Sequence, residues 1–169
     1  MTVRFLLRSL LVALSVATSV TALRAEEALV TFRVLSPEIA LKAASAALAK
    51  CRADGYQTAV AVVDRFGIQQ VLLRDRFAGP HTPSTATRKA WTAVSFRAGT
   101  VELSQRMIET PSIAGIRFVE GALVLGGGLP IEAAGSIVGG IGVSGAPGGE
   151  MDEACGRAGI AAIEQEIAF

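Results

Sequence analysis

The sequence predicts a single α+β domain, an antiparallel sheet with helices packed on it, and three observations carry that prediction. Segments of helical apolar period and short β-rich runs follow one another in the order α, β, β, α, α, β, β, β, α. The strands are joined by short glycine-bearing turns instead of long crossovers, which favours antiparallel pairing and gives an expected sheet of five strands. No Pro/Ser-rich linker or charge run divides the 169 residues, so one core is expected. With 51% hydrophobic and 18% charged residues and 18 glycines, the composition argues against disorder.

The first segment is read as processing, not fold. Arg4 and Arg8 precede and flank the apolar run from Leu10 to Val20, and small residues follow at Thr21, Ala22 and Ala25. This is the layout of a secretory signal, with cleavage after Ala22 or Ala25, and it divides the chain into a signal over 1–25 and a domain over 26–169. The run is short for a permanent helix, which needs about 20 apolar residues to cross a bilayer, so no stable membrane insertion is expected after cleavage. Loss of Arg4, Arg8 and Arg24 takes three of 16 basic side chains and leaves 13 against 15 acidic, a net charge of −2. Nothing in that balance attracts nucleic acid. A periplasmic or secreted location follows.

Ser36, Pro37 and Glu38 supply an N-cap, a first-turn proline and a carboxylate suited to the helix dipole. They open an alanine-rich helix to about Ala53, stopped by Gly55, with Ile39, Ala43, Ala47 and Cys51 on one stripe and Leu41, Ala44 and Leu48 beside it. Thr58–Asp64 and Ile68–Arg74 read as a hairpin turning at Arg65-Phe66-Gly67. Thr82 and Pro83 cap and begin a helix through Arg97, and Thr100 caps a shorter one ending before Pro111. Residues 112–120 read as an irregular loop. Ala122–Leu125, Leu129–Ala133 and Ser136–Ser144 read as three more strands, and Glu150–Ile167 as the closing helix. A mature chain of this size buries roughly 68% of its unfolded surface, enough for a core without cross-links. Cys51 and Cys155 are therefore expected as two buried thiols; a disulfide is the alternative if their helices are neighbours in an oxidising compartment.

Four runs together resemble a known family: AVAVVDRFG (59–67), TRKAWTAVSF (87–96), LGGGLPI (125–131) and VGGIGVSGAPGGEMDEACGRAGI (138–160). They are similar, in order and spacing, to the GlcG/HbpS family, also called the haem-degrading domain family and related to the C-terminal domain of PduO-type proteins. The resemblance implies a profilin-like sheet-and-helix domain that forms homo-oligomers, often octamers, and in several members binds haem or its iron. The iron ligand differs between members, so fold transfers better than ligand identity. The family name also brings to mind small 2-hydroxy acids, a reading no residue here supports.

His81 is the only histidine, which eliminates multi-histidine zinc sites and makes it the expected iron ligand. It stands just before the expected cap Thr82, where unpaired helix N–H groups favour an anion such as a haem propionate. An exposed loop histidine is the bland reading. Thr82 is a second candidate contact, read more simply as a helix cap. Arg74, Arg76, Arg88 and Lys89 are candidate propionate partners, each equally readable as an ordinary solvated charge. Met107, Met151 and Tyr56 read as packing before ligation.

Gly140, Gly142 and Gly145 match GxGxxG, but with no later strand and no βαβ unit they do not make a dinucleotide site. Glu150, Asp152 and Glu153 are explained by the start of a helix without metal. Ser144 lies in GVSGA and lacks the GxSxG elbow of a hydrolase. The leading expectation is an extracytoplasmic haem-binding protein that sequesters or buffers haem. Degradation would need an electron source the sequence does not display. The rival is a structural or sensory homo-oligomer binding another small molecule or none. N-terminal sequencing of protein exported by an expressing cell is expected to begin at Leu23 or Glu26, and an intact Met1 on the exported form would refute the signal reading.

Overall fold

A computed structural model describes residues 29–168, and the expected signal over 1–25 lies outside the described residues. The chain divides into two compact units at Arg33/Val34; residues 29–33 of the first carry no regular structure, and the domain is the second unit. Among the described residues no helix is long and apolar enough to cross a membrane.

Helix α1 spans Pro37–Ala53, and its N-cap Ser36 hydroxyl accepts the Ile39 amide at 3.4 Å. Its buried stripe is Ala40, Ala43, Ala44, Ala47, Leu48 and Cys51, whereas Leu41 points out. Gly55, in the left-handed conformation (φ 86°), ends it and lets the Tyr56 amide return to the Cys51 carbonyl at 2.8 Å. Strands β1 (Ala59–Asp64) and β2 (Gln69–Arg74) form the expected hairpin. Its turn is pinned by the Asp64 carboxylate, which accepts the Phe66 and Ile68 amides at 2.8 and 2.9 Å.

Helix α2 (Thr82–Phe96) and helix α3 (Thr100–Glu109) follow, and then a 3-10 helix, Pro111–Phe118, where an irregular loop was expected. That segment contributes no buried side chain, so no apolar period marked it. Thr100 does not cap α3: Gly99 holds the cap position, and the Thr100 hydroxyl accepts the Gly128 amide at 2.8 Å.

Strands β3 (Gly128–Ala133) and β4 (Ser136–Ser144) complete one antiparallel sheet in the order β2-β1-β4-β3. The sheet has four strands, not five. Residues 122–125 lie on α2 instead of joining the sheet, because the Leu123 amide goes to the Thr92 hydroxyl at 2.8 Å, the Ala122 carbonyl to Arg88 at 2.8 Å, and the Leu125 amide turns back to the Leu123 carbonyl at 2.9 Å. The closing helix is also interrupted: α4 runs Gly149–Ala161, the fully buried Ile163 turns inward, and α5 is a single turn, Glu164–Ile167.

Strand alternation divides the core between two faces. Val60, Val62, Leu129, Ile131, Ile141 and Val143 face α1 and α4 in the main cluster. Ala59, Ala61 and Val63 face α2, meeting Ala86, Ala90 and Val94. On that second face β4 offers glycine: a Cβ at Gly142 would fall 2.0 Å from the Ala86 carbonyl oxygen, and one at Gly128 of β3 would fall 2.3 Å from the Lys89 carbonyl oxygen. The α2 backbone thus rests directly on the sheet.

Between the other face's helices, Cys51 and Cys155 form a disulfide with Cα atoms 5.5 Å apart, not the two thiols expected. The stripe of small residues brings α1 and α4 side by side, and helix adjacency is what local pattern did not reveal. Substituting Gly142→Ala should destabilise the domain by about 3 kcal/mol, the upper end for overpacking, because backbone and not a flexible side chain blocks the new methyl. Urea denaturation measures it, and a change under about 0.5 kcal/mol would show that α2 can lift off at little cost.

Candidate functional site

Where the open end of α2 meets the loop before α4, the fold leaves a cavity of about 660 Å³. Four stretches of chain wall it. Gly55, Tyr56 and Gln57 come from the exit of α1; Phe77, Gly79 and His81 from the loop after β2; Leu123 and Leu125 from the segment before β3; and Ser144–Gly149 from the end of β4. Helix α2 supplies the floor through Thr82, Thr85, Arg88 and Lys89, with Asp152 of α4 beside them.

His81 is exposed and is itself the N-cap residue of α2. Gly79 leaves room for its ring, since a Cβ there would lie 2.8 Å from Cε1 and 3.0 Å from Nδ1. Thr82 is one position inside the helix and does not cap it: its buried hydroxyl donates to the Gly79 carbonyl at 2.8 Å. The anion-binding character expected of this helix start is smaller than the sequence implied. The Thr82 and Thr85 amides already donate to the Gly79 and His81 carbonyls, and Pro83 has no N–H to offer.

The four cationic candidates separate. Arg88 is exposed on the cavity, and its guanidinium is anchored on one side by the Ala122 carbonyl at 2.8 Å and the Gly121 carbonyl at 3.4 Å. Arg74 is not among the lining residues; it donates to the Ala78 carbonyl from Nε at 3.1 Å and Nη2 at 2.5 Å, so it shapes the loop that carries Phe77 and His81. Arg76 lies over the neighbouring Phe77 ring at 5.9 Å.

Lys89 is no solvated charge. It is 1% exposed and gives hydrogen bonds to Asp152 Oδ2 at 2.8 Å and to the Val143 carbonyl at 2.9 Å. Burial pushes the Asp152 carboxyl above its ordinary range, opposed by the Lys89 ammonium and the Ala146 amide, which donates at 2.9 Å. This pair ties α2 to α4 beneath the cavity. It went unread because Lys89 and Asp152 are far apart in sequence and each, taken locally, sits on a plausible helix surface.

Tyr56 packs against the main core cluster as expected and also lines the cavity, its hydroxyl donating to Met151 Sδ at 3.6 Å. Met151 is 44% exposed and fills no core, whereas Met107 is buried as read. Glu153 pairs with Arg157, and among the described residues no group of three His, Cys, Asp or Glu side chains could hold a metal ion. Ser144 and Gly145 lie at the cavity wall, and Gly140 and Gly142 lie under α2.

The arrangement is a concave site with aromatic and aliphatic walls, one imidazole and one anchored guanidinium, and its volume falls in the roughly 300–1,000 Å³ usual for small-molecule pockets. Fold and site together define an α+β domain with a cavity of small-molecule size. The chain belongs to the family described as Haem degrading protein HbpS-like, which residues 35–161 match. The crystal structure of a double mutant of HbpS from Streptomyces reticuli is 45% identical, with a TM-score of 0.75 over 80% of this chain and 90% of that one. A structure of PduOC in complex with heme is 28% identical, with a TM-score of 0.69 over 77% and 95%. Klebsiella pneumoniae protein ORFY, at 24% identity, shares the fold with a TM-score of 0.76 over 80% and 94%. No curated protein matches the sequence.

Removing one partner of the buried pair, by Asp152→Asn or Lys89→Met, should each cost about 3–5 kcal/mol, since the other is left buried and uncompensated. Replacing both, Lys89→Met with Asp152→Leu, should recover most of that loss. Equilibrium denaturation of the three variants gives the comparison, and strictly additive losses would mean the two side chains do not depend on each other.

Proposed function

We propose that this chain is an extracytoplasmic haem-binding protein that sequesters or buffers haem in the cavity at the start of α2. The carrying observation is the convergence on one cavity of an exposed imidazole, an anchored guanidinium and apolar walls. Family membership and the heme complex of a relative support the choice of ligand.

The residues present suit the group. Phe77, Leu123 and Leu125 offer apolar surface to a macrocycle, and the solvent-facing His81 ring, seated over Gly79, offers a nitrogen to iron. Arg88 is the cation left for a propionate, its guanidinium oriented by the Gly121 and Ala122 carbonyls. Thr82, Arg74 and Lys89 act behind this surface: Thr82 and Arg74 hold the loop around His81, and Lys89 holds α4. Bound haem would supply an iron centre whose behaviour the axial ligand and local polarity tune.

The reading includes a homo-oligomer in the periplasm or medium. Ile108 at 78% and Phe118 at 85% exposure offer apolar side chains of the kind subunit contacts cover.

Titrating the mature protein with hemin should give a saturable Soret shift, with quenching of Trp91, the only tryptophan, one turn beyond Arg88. His81→Ala should change the spectrum and weaken binding by about tenfold or more, equivalent to about 1.4 kcal/mol. Gly79→Ala, which displaces the imidazole, should alter the spectrum in the same direction with the fold retained. Arg88→Ala should weaken binding without moving the band. A wild-type protein indifferent to hemin refutes the function, and a His81→Ala protein indistinguishable from wild type refutes the ligand.

A further inference from the structure

A domain large enough to close its core without cross-links nevertheless carries one, Cys51–Cys155, with both residues fully buried. Its position along the seam between α1 and α4 indicates what it does. The two helices run antiparallel. At the far end of the seam they are in backbone contact, for a Cβ at Gly159 would lie 2.6 Å from the Ala43 carbonyl oxygen and 3.0 Å from the Ala47 Cβ. Packing holds them there, and at that end the Lys42 ammonium also pairs with Glu166 of α5.

The disulfide comes next, and after it the seam carries the Tyr56 hydroxyl on Met151 Sδ at 3.6 Å, a weak acceptor. Immediately beyond lie two strips of cavity wall: Gly55–Gln57, which continue from α1, and Gly145–Gly149, which lead into α4. The second strip is fixed at one end by pairing of Ser144 with Ala59 in the sheet. Its other end depends on the first turns of α4, where Asp152 holds both Lys89 and the Ala146 amide and Cys155 follows one turn later. The cross-link is therefore placed where close packing of the seam gives way to the cavity.

We infer that the Cys51–Cys155 disulfide is a positioning element of the ligand cavity: it sets the separation of the α1 exit from the start of α4 and so the shape of the site. The inference rests on the cavity being the haem site, but one of its two readouts does not require haem. Cys51→Ala with Cys155→Ala removes the bridge. In the ligand-free variant, amide hydrogen exchange over 55–57 and 145–152 should accelerate by about tenfold more than the central strands β1 and β4, a local opening beyond the global loss of stability. Hemin affinity should fall by about three- to tenfold while the far-ultraviolet dichroism stays native.

Exchange that rises uniformly, together with unchanged affinity, would make the bridge a general stabiliser and overturn the inference. If the double alanine chain does not fold, Cys51→Ala with Cys155→Val refills the volume for the same comparison, and failure of both to fold would also overturn it. Local acceleration in a protein that ignores hemin even in the wild type would sustain the positioning role and remove the haem reading alone.

Discussion

The direct seating of α2 on the backbone of β3 and β4 is the constraint from which the rest of the molecule follows. With Gly142 under the Ala86 carbonyl and Gly128 under that of Lys89, no side chain separates the helix from β3 and β4 at these two points, and α2 cannot slide without a backbone collision. The opposite face of the same strands carries Ile141, Val143, Leu129 and Ile131, which fill the core beneath α1 and α4. One strand thus does two jobs by period-two alternation, glycine toward one layer and branched apolar residues toward the other. The result fixes the start of α2, and with it His81 and Arg88, against the end of β4.

The Lys89–Asp152 pair belongs to the same scheme. Two charges at 1% and 3% exposure carry a desolvation cost that their attraction only offsets when geometry is good and other partners are present. Both conditions are met, with the Val143 carbonyl on one side and the Ala146 amide on the other. Well-packed apolar residues often match a buried ion pair in stability. What the ionic pair adds is direction: it ties three segments, α2, the end of β4 and the start of α4, at one point under the cavity.

Legibility in the sequence followed the range of the interaction. Ser36-Pro37-Glu38, the β1–β2 turn at Arg65-Phe66-Gly67 and the proline opening α2 are decided within a few residues, and each element lies where those residues put it. Residues 122–125 have the composition of a strand, yet form no ladder, because the Thr92 and Arg88 side chains take their polar groups first. Strand membership requires a partner, and composition cannot supply one. The site was half legible for the same reason. The histidine and the arginines were marked by residue type, whereas the partition among Arg74, Arg88 and Lys89 into loop brace, exposed cation and buried tie is set by neighbours distant in sequence.

By itself the sequence determined that this is one α+β domain of antiparallel strands and alanine- and glycine-rich helices, with a single imidazole at the head of a helix, since period, capping and turn chemistry are local properties. Only the tertiary structure decided that Cys51 meets Cys155, that Lys89 is spent on Asp152, and that Tyr56 borders a cavity as well as the core. Those outcomes depend on which helix lies beside which, and that is set by the summed packing of the whole sheet, to which no single segment holds the answer.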